Sequence, residues 1–385
     1  MPDIVMLLSN AFRPDLRVIK EATSLVGAGY TLTIICWDRI GELPIEETLP
    51  SGVRILRIHS IRTVYGAGPR QILYTPRFWS AAVQKALPLM PDLVHCHDLD
   101  TLYAGVRIKR HLKCKLVFDA HEDYPTMMSL YLPGIFVPLL NTMERWLLHQ
   151  VDATIAASSV FVDKLTSAGF TQAIHIPNVQ NLAGFESVTQ DQLACARQEL
   201  GLAPESFVIS YIGGFTRNRL LLPLIEAMRS LPTTTLLLWG DGHQRRAVEE
   251  AVNGMANIRY FGWLPADQVP LYTCLSDVVY YCLKPDYPGA KFNAPNTLSN
   301  AMAAGRPVIA NNIGDLGRIV RKTGCGLLLD EVTPQTIYEA IMKLSDPALR
   351  HKLGEAGRQS AEAEFNWRVV EQRLLELYAS LLDKP

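Results

Sequence analysis

Residues 3–37 read DIVMLLSNAFRPDLRVIKEATSLVGAGYTLTIICW, and the pattern of this stretch decides the fold. A short apolar run, DIVMLLS, comes first. An amphipathic stretch of helical length follows from Asp15 to Gly27, and a second apolar run, TLTIICW, ends the segment. Apolar runs of strand length that alternate with amphipathic helices are typical of parallel strands buried on both faces. The segment therefore predicts a strand–helix–strand unit of a parallel sheet.

The same alternation continues almost to the end of the chain. Further strands are predicted in the first half at VRILRI, LVHCHD, KLVFDAH, ATIAAS and AIHIPN. The pattern starts again with FVISYIGG, TTTLLLWG, IRYFGW, DVVYYCLK, RPVIANN and GLLLD. Two α/β domains with doubly wound parallel sheets are therefore expected in series. We predict an N-terminal domain over residues 1–180, a C-terminal domain over 181–365, and a terminal helix over 366–385 that packs back toward the N-terminal domain.

Composition excludes several classes of protein. The 385 residues include 48% hydrophobic and 19% charged residues, which excludes intrinsic disorder, and the length fits two domains. The net charge of −1 offers no basic surface for a nucleic acid. The seven cysteines are scattered without a Cys-x-x-Cys pair, and the start, MPDIVMLLSN, lacks the positive charge of a signal peptide. These features predict a cytoplasmic protein with reduced thiols.

The loop after FVISYIGG is the first candidate ligand site, because ligands of open parallel sheets bind beyond the carboxyl ends of the strands. It contains Gly213, Gly214, Arg217 and Arg219 and leads into a helix. Glycines let a ligand approach the backbone, while a helix start and guanidinium groups favour phosphate oxygens. The loop predicts a phosphate site, and a plain turn with solvated arginines is the alternative.

A second candidate lies in KFNAPNTLSNAMAAGRPVIANN, residues 291–312. Pro295 and Asn296 mark the start of a helix, and the small residues that follow allow this helix to lie close to the sheet. Backbone N–H groups near Asn296, Thr297 and Leu298 are expected to face the same ligand as the arginine loop.

The third candidate is a group of histidines at the ends of two predicted strands, His95 and His97 in LVHCHDLD and His121 in KLVFDAHEDYP. Five acidic residues accompany them: Asp98, Asp100, Asp119, Glu122 and Asp123. Such a set permits a metal site, whereas acidic residues that cap the next helix are the plainer interpretation. We predict no metal.

Motifs of other enzyme classes are absent from the sequence. SNAFRPD follows the first strand where a dinucleotide-binding protein has G-x-G-x-x-G, and neither a P-loop nor a G-x-S-x-G motif occurs. Dinucleotide-dependent enzymes, P-loop kinases and hydrolases with a nucleophile elbow are therefore disfavoured, and no cofactor is predicted.

The order of the motifs resembles that of the retaining glycosyltransferases of family 4, which have the GT-B fold. The resemblance is carried by RVIKEATSLVGAGYTLTII, IPN at the linker, YIGG with its arginines, LLLWGDG, IRYFGWLP, SDVVYY, AMAAGRPVIA and FNW near the end. It implies two Rossmann-like domains that face each other across a cleft, the first binding the acceptor and the second binding the donor.

The resemblance also implies the reaction. A sugar would pass from a UDP- or GDP-linked donor to an acceptor hydroxyl with retention of configuration and without a metal, in the synthesis of polysaccharide, glycolipid or glycoconjugate. His121 would lie at the reacting sugar, with Asp98 and Glu122 as further candidate catalytic residues. The candidate donor-binding residues are Gly213, Gly214, Arg217, Arg219, Gly240, Asp241, Gly242, Trp263, Leu264, Asn293, Ala294, Pro295, Asn296, Thr297 and Asn300.

The sequence departs from the family pattern at two usual glutamates, where Phe292 and Asn300 stand. Gly214 stands where arginine is common, and Arg219 where lysine is common. An asparagine can still hydrogen-bond ribose hydroxyls. Two other functions stay open on these grounds: a catalytically silent GT-B-like binding protein and a nucleotide-sugar epimerase.

Residues 126–143, TMMSLYLPGIFVPLLNTM, form the longest uncharged stretch, and Pro133, Gly134 and Pro138 predict a loop and short helix there. Five cations precede it: Arg107, Lys109, Arg110, Lys113 and Lys115. The favoured interpretation is that the apolar residues pack in the core of the N-terminal domain and the cations form a solvated helix face. A peripheral contact with the inner face of the membrane, with a lipid-linked acceptor, is the alternative, because apolar residues can enter the interface beside cations that attract anionic headgroups.

Overall fold

The parallel strands of the chain form two separate sheets, one in each of two α/β units. The structure, a computed structural model, describes residues 1–13, 15–63, 71–170 and 173–382. The first unit comprises Met1–Pro177 and the residues from Glu371 on, and the second comprises Asn178–Val370.

The first unit contains an eight-stranded sheet. Its elements, in chain order, are β1 (Asp3–Leu8), α1 (Leu16–Gly27), β2 (Thr31–Trp37), β3 (Glu46–Thr48), β4 (Arg54–Ile58), α2 (Gln71–Ala86), β5 (Leu93–His97), α3 (Leu99–Leu112), β6 (Lys115–Ala120), α4 (Tyr124–Met128), α5 (Phe136–Leu148), β7 (Ala153–Ala156), α6 (Ser159–Ser167) and β8 (Ala173–His175). The strand order is β3-β4-β2-β1-β5-β6-β7-β8, and β3 alone of these strands runs antiparallel to its neighbour.

The second unit contains a six-stranded parallel sheet. Its elements are α7 (Ala183–Glu186), α8 (Gln190–Glu199), β9 (Phe207–Ile212), α9 (Leu221–Met228), β10 (Thr234–Trp239), α10 (Arg245–Val252), β11 (Ile258–Tyr260), α11 (Val269–Leu275), β12 (Val278–Tyr281), α12 (Asn296–Ala303), β13 (Val308–Asn311), α13 (Gly314–Thr323), β14 (Gly326–Leu329), α14 (Pro334–Leu344) and α15 (Pro347–Ala363). The strand order is β11-β10-β9-β12-β13-β14. A final helix, α16 (Trp367–Leu382), begins in this unit and continues into the first.

Both sheets have a topological switch point, where the chain turns from building one side of the sheet to building the other. It lies between β1 and β5 in the first sheet and between β9 and β12 in the second. Ligands of doubly wound sheets bind beyond the carboxyl ends of the strands at such points. The switch points therefore mark where each unit offers a site.

Two local features differ from the sequence-based expectation. Strand β3 was not predicted, because Glu46–Thr48 is a short polar segment at the edge of the sheet. The apolar stretch after His121 forms two helices, α4 and the 13-residue α5, instead of a loop and one short helix. Pro138 lies in the first turn of α5, where a missing backbone N–H costs no intrahelical hydrogen bond. Among the described residues, no helix has both the length and the apolar character to cross a bilayer.

Three loops at the carboxyl edge of the second sheet are joined through their backbones. The N–H of Gly213 donates to the carbonyl of Trp239 at 3.0 Å, and the N–H of Gly240 donates to that of Gly262 at 2.7 Å. A Cβ at residue 240 would overlap the carbonyl oxygen of Gly213 and the ring of Phe215. Glycine at 240 therefore allows the loops after β9, β10 and β11 to lie together.

Replacing Gly240 with alanine is expected to destabilise the second unit by about 1–3 kcal/mol, since the new methyl group meets backbone that must shift. Urea unfolding of the full chain measures the effect. Gly184→Ala is the matched control, because its Cβ would make an ordinary 3.6 Å contact with Pro270. Equal unfolding midpoints for the two variants would contradict the close approach of the loops.

Candidate functional site

The centre of the site in the first unit is the buried carboxylate of Asp119 in β6. Its Oδ1 accepts a hydrogen bond from Nη2 of Arg17 at 2.8 Å, and its Oδ2 accepts one from Nε of Arg17 at 2.9 Å. Arg17 also donates to the carbonyl of Ile176 at 2.7 Å, and its Nε lies 3.2 Å from Glu21. Two parallel hydrogen bonds between charged groups fix geometry strongly. They join the start of α1 to the end of β6.

Two histidines meet the same carboxylate oxygen. Nε2 of His121 lies 3.0 Å from Oδ2 of Asp119, and Nδ1 of His97 lies 3.3 Å from it. The two ring nitrogens are 3.2 Å apart. Since β5 and β6 are adjacent parallel strands, their carboxyl ends bring His97 and His121 to one edge of the sheet. Asp119 is therefore the acceptor around which both imidazoles are arranged.

The charges of this cluster follow from their neighbours. Burial lowers the pKa of His121, but the Asp98 and Asp119 carboxylates outweigh it and raise that pKa to about 10. Burial works to raise the pKa of Asp119, but Arg17 and His121 hold it well below its usual range. Burial raises the pKa of Glu21 to about 8 despite the adjacent Arg17. At neutral pH the imidazole of His121 is therefore a cation held by an ionised Asp119.

Asp98 ties the ends of β5 and β6 together. Its Oδ1 accepts a hydrogen bond from the backbone N–H of His121 at 3.1 Å, and its Oδ2 lies 3.7 Å from Nδ1 of His121. Its φ of 64° is rare for a residue other than glycine, and such strain is concentrated at functional sites. Burial raises the pKa of Asp98 to about 7, although His121 acts to lower it. Glu122, the third candidate catalytic residue, is exposed.

A buried group of Glu21, His95, His97 and Asp119 has the composition of a metal site. Its candidate ligand atoms lie up to 4.8 Å apart, whereas ligands about 2.1 Å from one tetrahedral zinc ion are roughly 3.4 Å from each other. Arg17 contacts both carboxylates of the group. The guanidinium therefore already supplies a positive charge to the ionised carboxylate of Asp119. Asp123, by contrast, caps α4 through the N–H of Thr126, as the plainer interpretation of the acidic residues expects.

The site in the second unit is built around Arg219, at the end of the loop that follows β9. Its guanidinium lies over the ring of Tyr281 at 4.7 Å, and its positive charge acts on the phenol groups of Tyr211 and Tyr281. The two hydroxyls donate to the carbonyl of Gly214 at 2.8 Å and to Oδ1 of Asn293 at 2.9 Å. The two tyrosines belong to β9 and β12, the strands of the switch point. They hold one cation at the place where a ligand is expected.

The start of α12 lies against the same strand end. The hydroxyl of Thr297 donates to the carbonyl of Ile212 at 3.1 Å, which joins the first turn of the helix to the end of β9. Pro295, the residue before the helix, provides no side-chain cap. The first N–H groups of a helix have no partner within it, and the helix dipole places partial positive charge there. This end of α12 therefore favours an anion.

The predicted donor-binding residues differ in exposure. The exposed ones are Arg217, Asp241, Gly242, Trp263 and Asn296; the half-buried ones are Gly213, Gly214, Arg219, Asn293, Ala294 and Asn300; the buried ones are Gly240, Leu264, Pro295 and Thr297. Phe292, at the place of one family glutamate, is 6% exposed and belongs to the core. That position therefore contributes an apolar side chain to packing, while Asn300 lies half-buried on α12.

Sequence reasoning missed the partners of the key side chains. The sequence signal for Arg17 is an Arg-x-x-x-Glu pair one helical turn apart on α1. Tyr211 and Tyr281 are apolar-run residues in the sequence, but both stand near the carboxyl ends of strands that flank the switch point. The role of Arg17 depends on Asp119, 102 residues away, and that of Tyr281 on Arg219 in a loop that follows another strand.

Comparisons with known proteins identify the family. The family model described as Glycosyltransferase Family 4 matches residues 17–181, and that described as Glycosyl transferases group 1 matches residues 206–346. A glycogen synthase of Mycobacterium tuberculosis strain H37Rv is 23% identical over 376 residues, which cover 93% of this chain and 88% of the synthase.

Solved structures agree on the fold. Sucrose-phosphate synthase from Thermosynechococcus elongatus superposes with a TM-score of 0.83 at 20% identity over the whole of both chains. HepE from Anabaena, solved in complex with UDP and glucose, superposes with a TM-score of 0.74 at 18% identity over 98% of this chain and 99% of that one. The chain thus belongs to glycosyltransferase family 4, has the GT-B fold and is a glycosyltransferase.

Proposed function

We propose that this glycosyltransferase moves a sugar from a nucleotide diphosphate sugar to an acceptor hydroxyl, with retention of configuration and without a metal ion. The observation that carries the proposal is the arrangement of Arg219, held by Tyr211 and Tyr281 beside the first turn of α12. A fixed guanidinium and a helix start form a site for the two phosphates of the donor. The fold neighbour HepE was solved with UDP, which favours UDP over GDP as the first nucleotide to test.

Departure of the nucleoside diphosphate is the step that such a site would assist. Negative charge develops on the leaving phosphate as its bond to the sugar breaks, and positive groups already in place stabilise that charge without reorganisation. Arg219 and the N–H groups of α12 would act in this way, with Arg217 as an additional cation. Trp263, which is 69% exposed, is assigned to the nucleotide with Asp241 and Gly242.

The cluster of the first unit is assigned to the sugar and the acceptor. His121 is cationic at neutral pH and its imidazole is held by Asp119, so it lacks the free nitrogen lone pair of a general base. Its 21% exposed ring instead places a positive charge toward the ligand. Asp98, with a pKa near 7, is the carboxylate suited to exchange a proton or accept a hydrogen bond from a sugar hydroxyl. The cytoplasmic location and a product that is a polysaccharide, glycolipid or glycoconjugate belong to the same proposal.

Acceptor-dependent release of UDP tests the function. The full chain is incubated with UDP-glucose or another UDP-sugar and a panel of sugar, inositol and lipid-linked acceptors, with and without a chelator. We expect UDP release only with an acceptor, an unchanged rate with the chelator, and an anomeric proton in the product that retains the donor configuration by NMR. Inversion of the anomer would overturn the retaining mechanism. Conversion of the UDP-sugar without an acceptor would favour the epimerase, and UDP binding without turnover would favour the silent binding protein.

Replacing Arg219 with alanine is expected to weaken UDP binding by about 10–100-fold, since a charge-assisted hydrogen bond contributes about 1.5–3 kcal/mol. Isothermal titration calorimetry with UDP, and separately with pyrophosphate, measures the loss. Arg246→Ala is the control, because the Arg246 side chain is 91% exposed and pairs with Glu250 on the surface of the same unit. Equal affinity of the wild type and the Arg219→Ala variant would remove the phosphate assignment.

A second proposal concerns the membrane, and exposed apolar residues after the His121 loop support it. Ile135, Leu139 and Trp146 are 80%, 63% and 43% exposed, and their spacing along α5 places them on one face of that helix. Tyr131 and Phe136 are exposed beside them. Packing in the core explains Leu132, which is buried, but none of these five. We call these five residues the apolar face of α5, although Tyr131 and Ile135 lie in the segment just before the helix.

Cations border the apolar face of α5. The guanidinium of Arg110 lies over the ring of Trp146 at 5.5 Å, and Arg145 is exposed. Lys109 and Lys115 lie 2.6 and 3.9 Å from Asp152, so that carboxylate offsets part of the charge expected from the sequence. Apolar side chains that enter an interface, together with arginines that attract anionic headgroups, fit a bilayer containing anionic lipid. A lipid-linked acceptor would then be available near the site.

Co-sedimentation with vesicles tests this contact. We expect the wild type to bind phosphatidylcholine vesicles that contain phosphatidylglycerol, and the double variant Ile135→Ser/Leu139→Ser to lose most of that binding. Ile45→Ser is the control, since Ile45 is 60% exposed in the same unit. Added salt is expected to weaken binding. Equal sedimentation of both variants would contradict the proposal, as would a concentration-dependent dimer of the wild type that the double variant alone abolishes.

A further inference from the structure

Helix α16 inserts a buried tyrosine into the first unit behind the catalytic edge of the sheet. The hydroxyl of Tyr378 lies 2.6 Å from Nδ1 of His95, and both side chains have 0% exposure. The ring of Tyr378 also contacts the ring of Tyr30, with centroids 6.1 Å apart. Within the described part of the C-terminal half, the residues that belong to the first unit begin at Glu371. Tyr378 is therefore the polar link between this helix and β5.

His95 continues the contact toward the site. Its ring stacks on that of His97, with centroids 4.2 Å apart and planes inclined by 22°. His97 then meets Asp119 and His121 at 3.3 and 3.2 Å. Two residues apart on β5, His95 and His97 point to the same face of the sheet, as alternation along a strand requires. An unbroken series of contacts thus runs from the terminal helix to His121.

The direction of the hydrogen bond decides which nitrogen of His95 carries the proton. Burial, together with the charge of His97, lowers the pKa of His95 well below its usual value, and burial raises that of Tyr378 well above its own, so both groups are neutral. If the hydroxyl donates to Nδ1, the ring proton is on Nε2, which lies 4.0 Å from Oδ2 of Asp119. The opposite tautomer would turn a lone pair toward that carboxylate. The charge of Asp119 therefore favours donation by Tyr378.

We propose that Tyr378 is a positioning residue for His121, on which it acts by holding the ring of His95 in its stack with His97. The site in the first unit is then properly arranged only when the terminal helix is packed against it. Loss of the Tyr378 hydroxyl is expected to loosen His121, although His95 and His97 lie between the two residues. This role rests on the proposed transferase function. The activity test of Tyr378 requires that function, whereas the spectroscopic test does not.

The titratable and charged groups that bear on this series come from several elements. Those acting on Tyr378 are Glu21 of α1, Asp119 of β6, Cys96 of β5, and Tyr30, which precedes β2. Those acting on His97 and His121 include Arg17, Asp15, Asp98 and Asp119. All of them are retained in the variant Tyr378→Phe, which removes one oxygen atom and keeps the ring. Changes in that variant can therefore be assigned to the hydroxyl.

The first test is the nitrogen spectrum of His95 in the full chain labelled with 15N-histidine. We expect the wild type to show a neutral His95 with a protonated Nε2 and an unprotonated Nδ1 that accepts the hydrogen bond of Tyr378, and Tyr378→Phe to shift the Nδ1 resonance because that hydrogen bond is lost. Tyr30→Phe is the control, because it removes a hydroxyl from the neighbouring ring. A wild-type His95 protonated on Nδ1, or an unchanged spectrum in Tyr378→Phe, would overturn the proposal.

The second test compares pH profiles of turnover. In Tyr378→Phe we expect kcat to fall about tenfold, equivalent to one neutral hydrogen bond. We also expect its alkaline limb to move to lower pH, since His121 is held less firmly, while UDP affinity stays unchanged. A purely structural role would lower the unfolding midpoint without moving the limb. Absence of turnover in the wild type would contradict the proposed function, whereas equal profiles of two active proteins would contradict only the role of Tyr378.

Discussion

The pair between Arg17 and Asp119 is the interaction on which the first unit depends. A carboxylate in the middle of a parallel sheet is costly to bury, and here both its oxygens accept hydrogen bonds from one guanidinium. With its charge stabilised, Asp119 can hold two further groups, His97 and His121. The same pair fixes the start of α1 to the end of β6, so the packing of the unit and the charge of its site have one origin. Removal of Arg17 would leave Asp119 with His121 as its cationic partner, and removal of Asp119 would leave the Arg17 guanidinium with Glu21.

Each unit places a cation in its candidate site, but the origin of the positive charge differs between the two units. In the first, the positive imidazole of His121 is created by the carboxylates around it, and its charge therefore depends on Asp119 and Asp98. In the second, Arg219 is cationic without help, and Tyr211 and Tyr281 serve to orient it. An arginine beside neutral phenol groups keeps its full charge for a ligand, which suits a diphosphate. The imidazolium of His121 together with its carboxylate partners has a smaller net charge, and such a group suits an uncharged sugar.

The sequence predicted the sheets well, because buried parallel strands are continuous apolar runs that can be recognised from the local sequence. It missed β3, whose Glu46–Thr48 segment is polar and at an edge. Charged side chains were harder, since Arg17 and Glu21 look like the solvated face of α1 until β6 brings in Asp119, 102 residues from Arg17. Tyr378 is 283 residues from His95, and nothing local distinguishes it from other core residues of α16. Arg219 was predicted as a phosphate ligand from its loop, while the tyrosines that orient it required the order of β9 and β12.

Titration of the His121 imidazole by 15N NMR between pH 6 and pH 10.5 tests most directly whether Asp98 and Asp119 keep this ring protonated at neutral pH. Because the pKa of His121 is raised in the folded state, the ring should hold both protons through pH 8 and lose one only near pH 10. An Asp119→Asn variant that still folds should release that proton at a lower pH. Loss of the proton near pH 6.5 in the wild type would contradict the account, because His121 would then be a neutral base and Asp119 only a structural partner of Arg17.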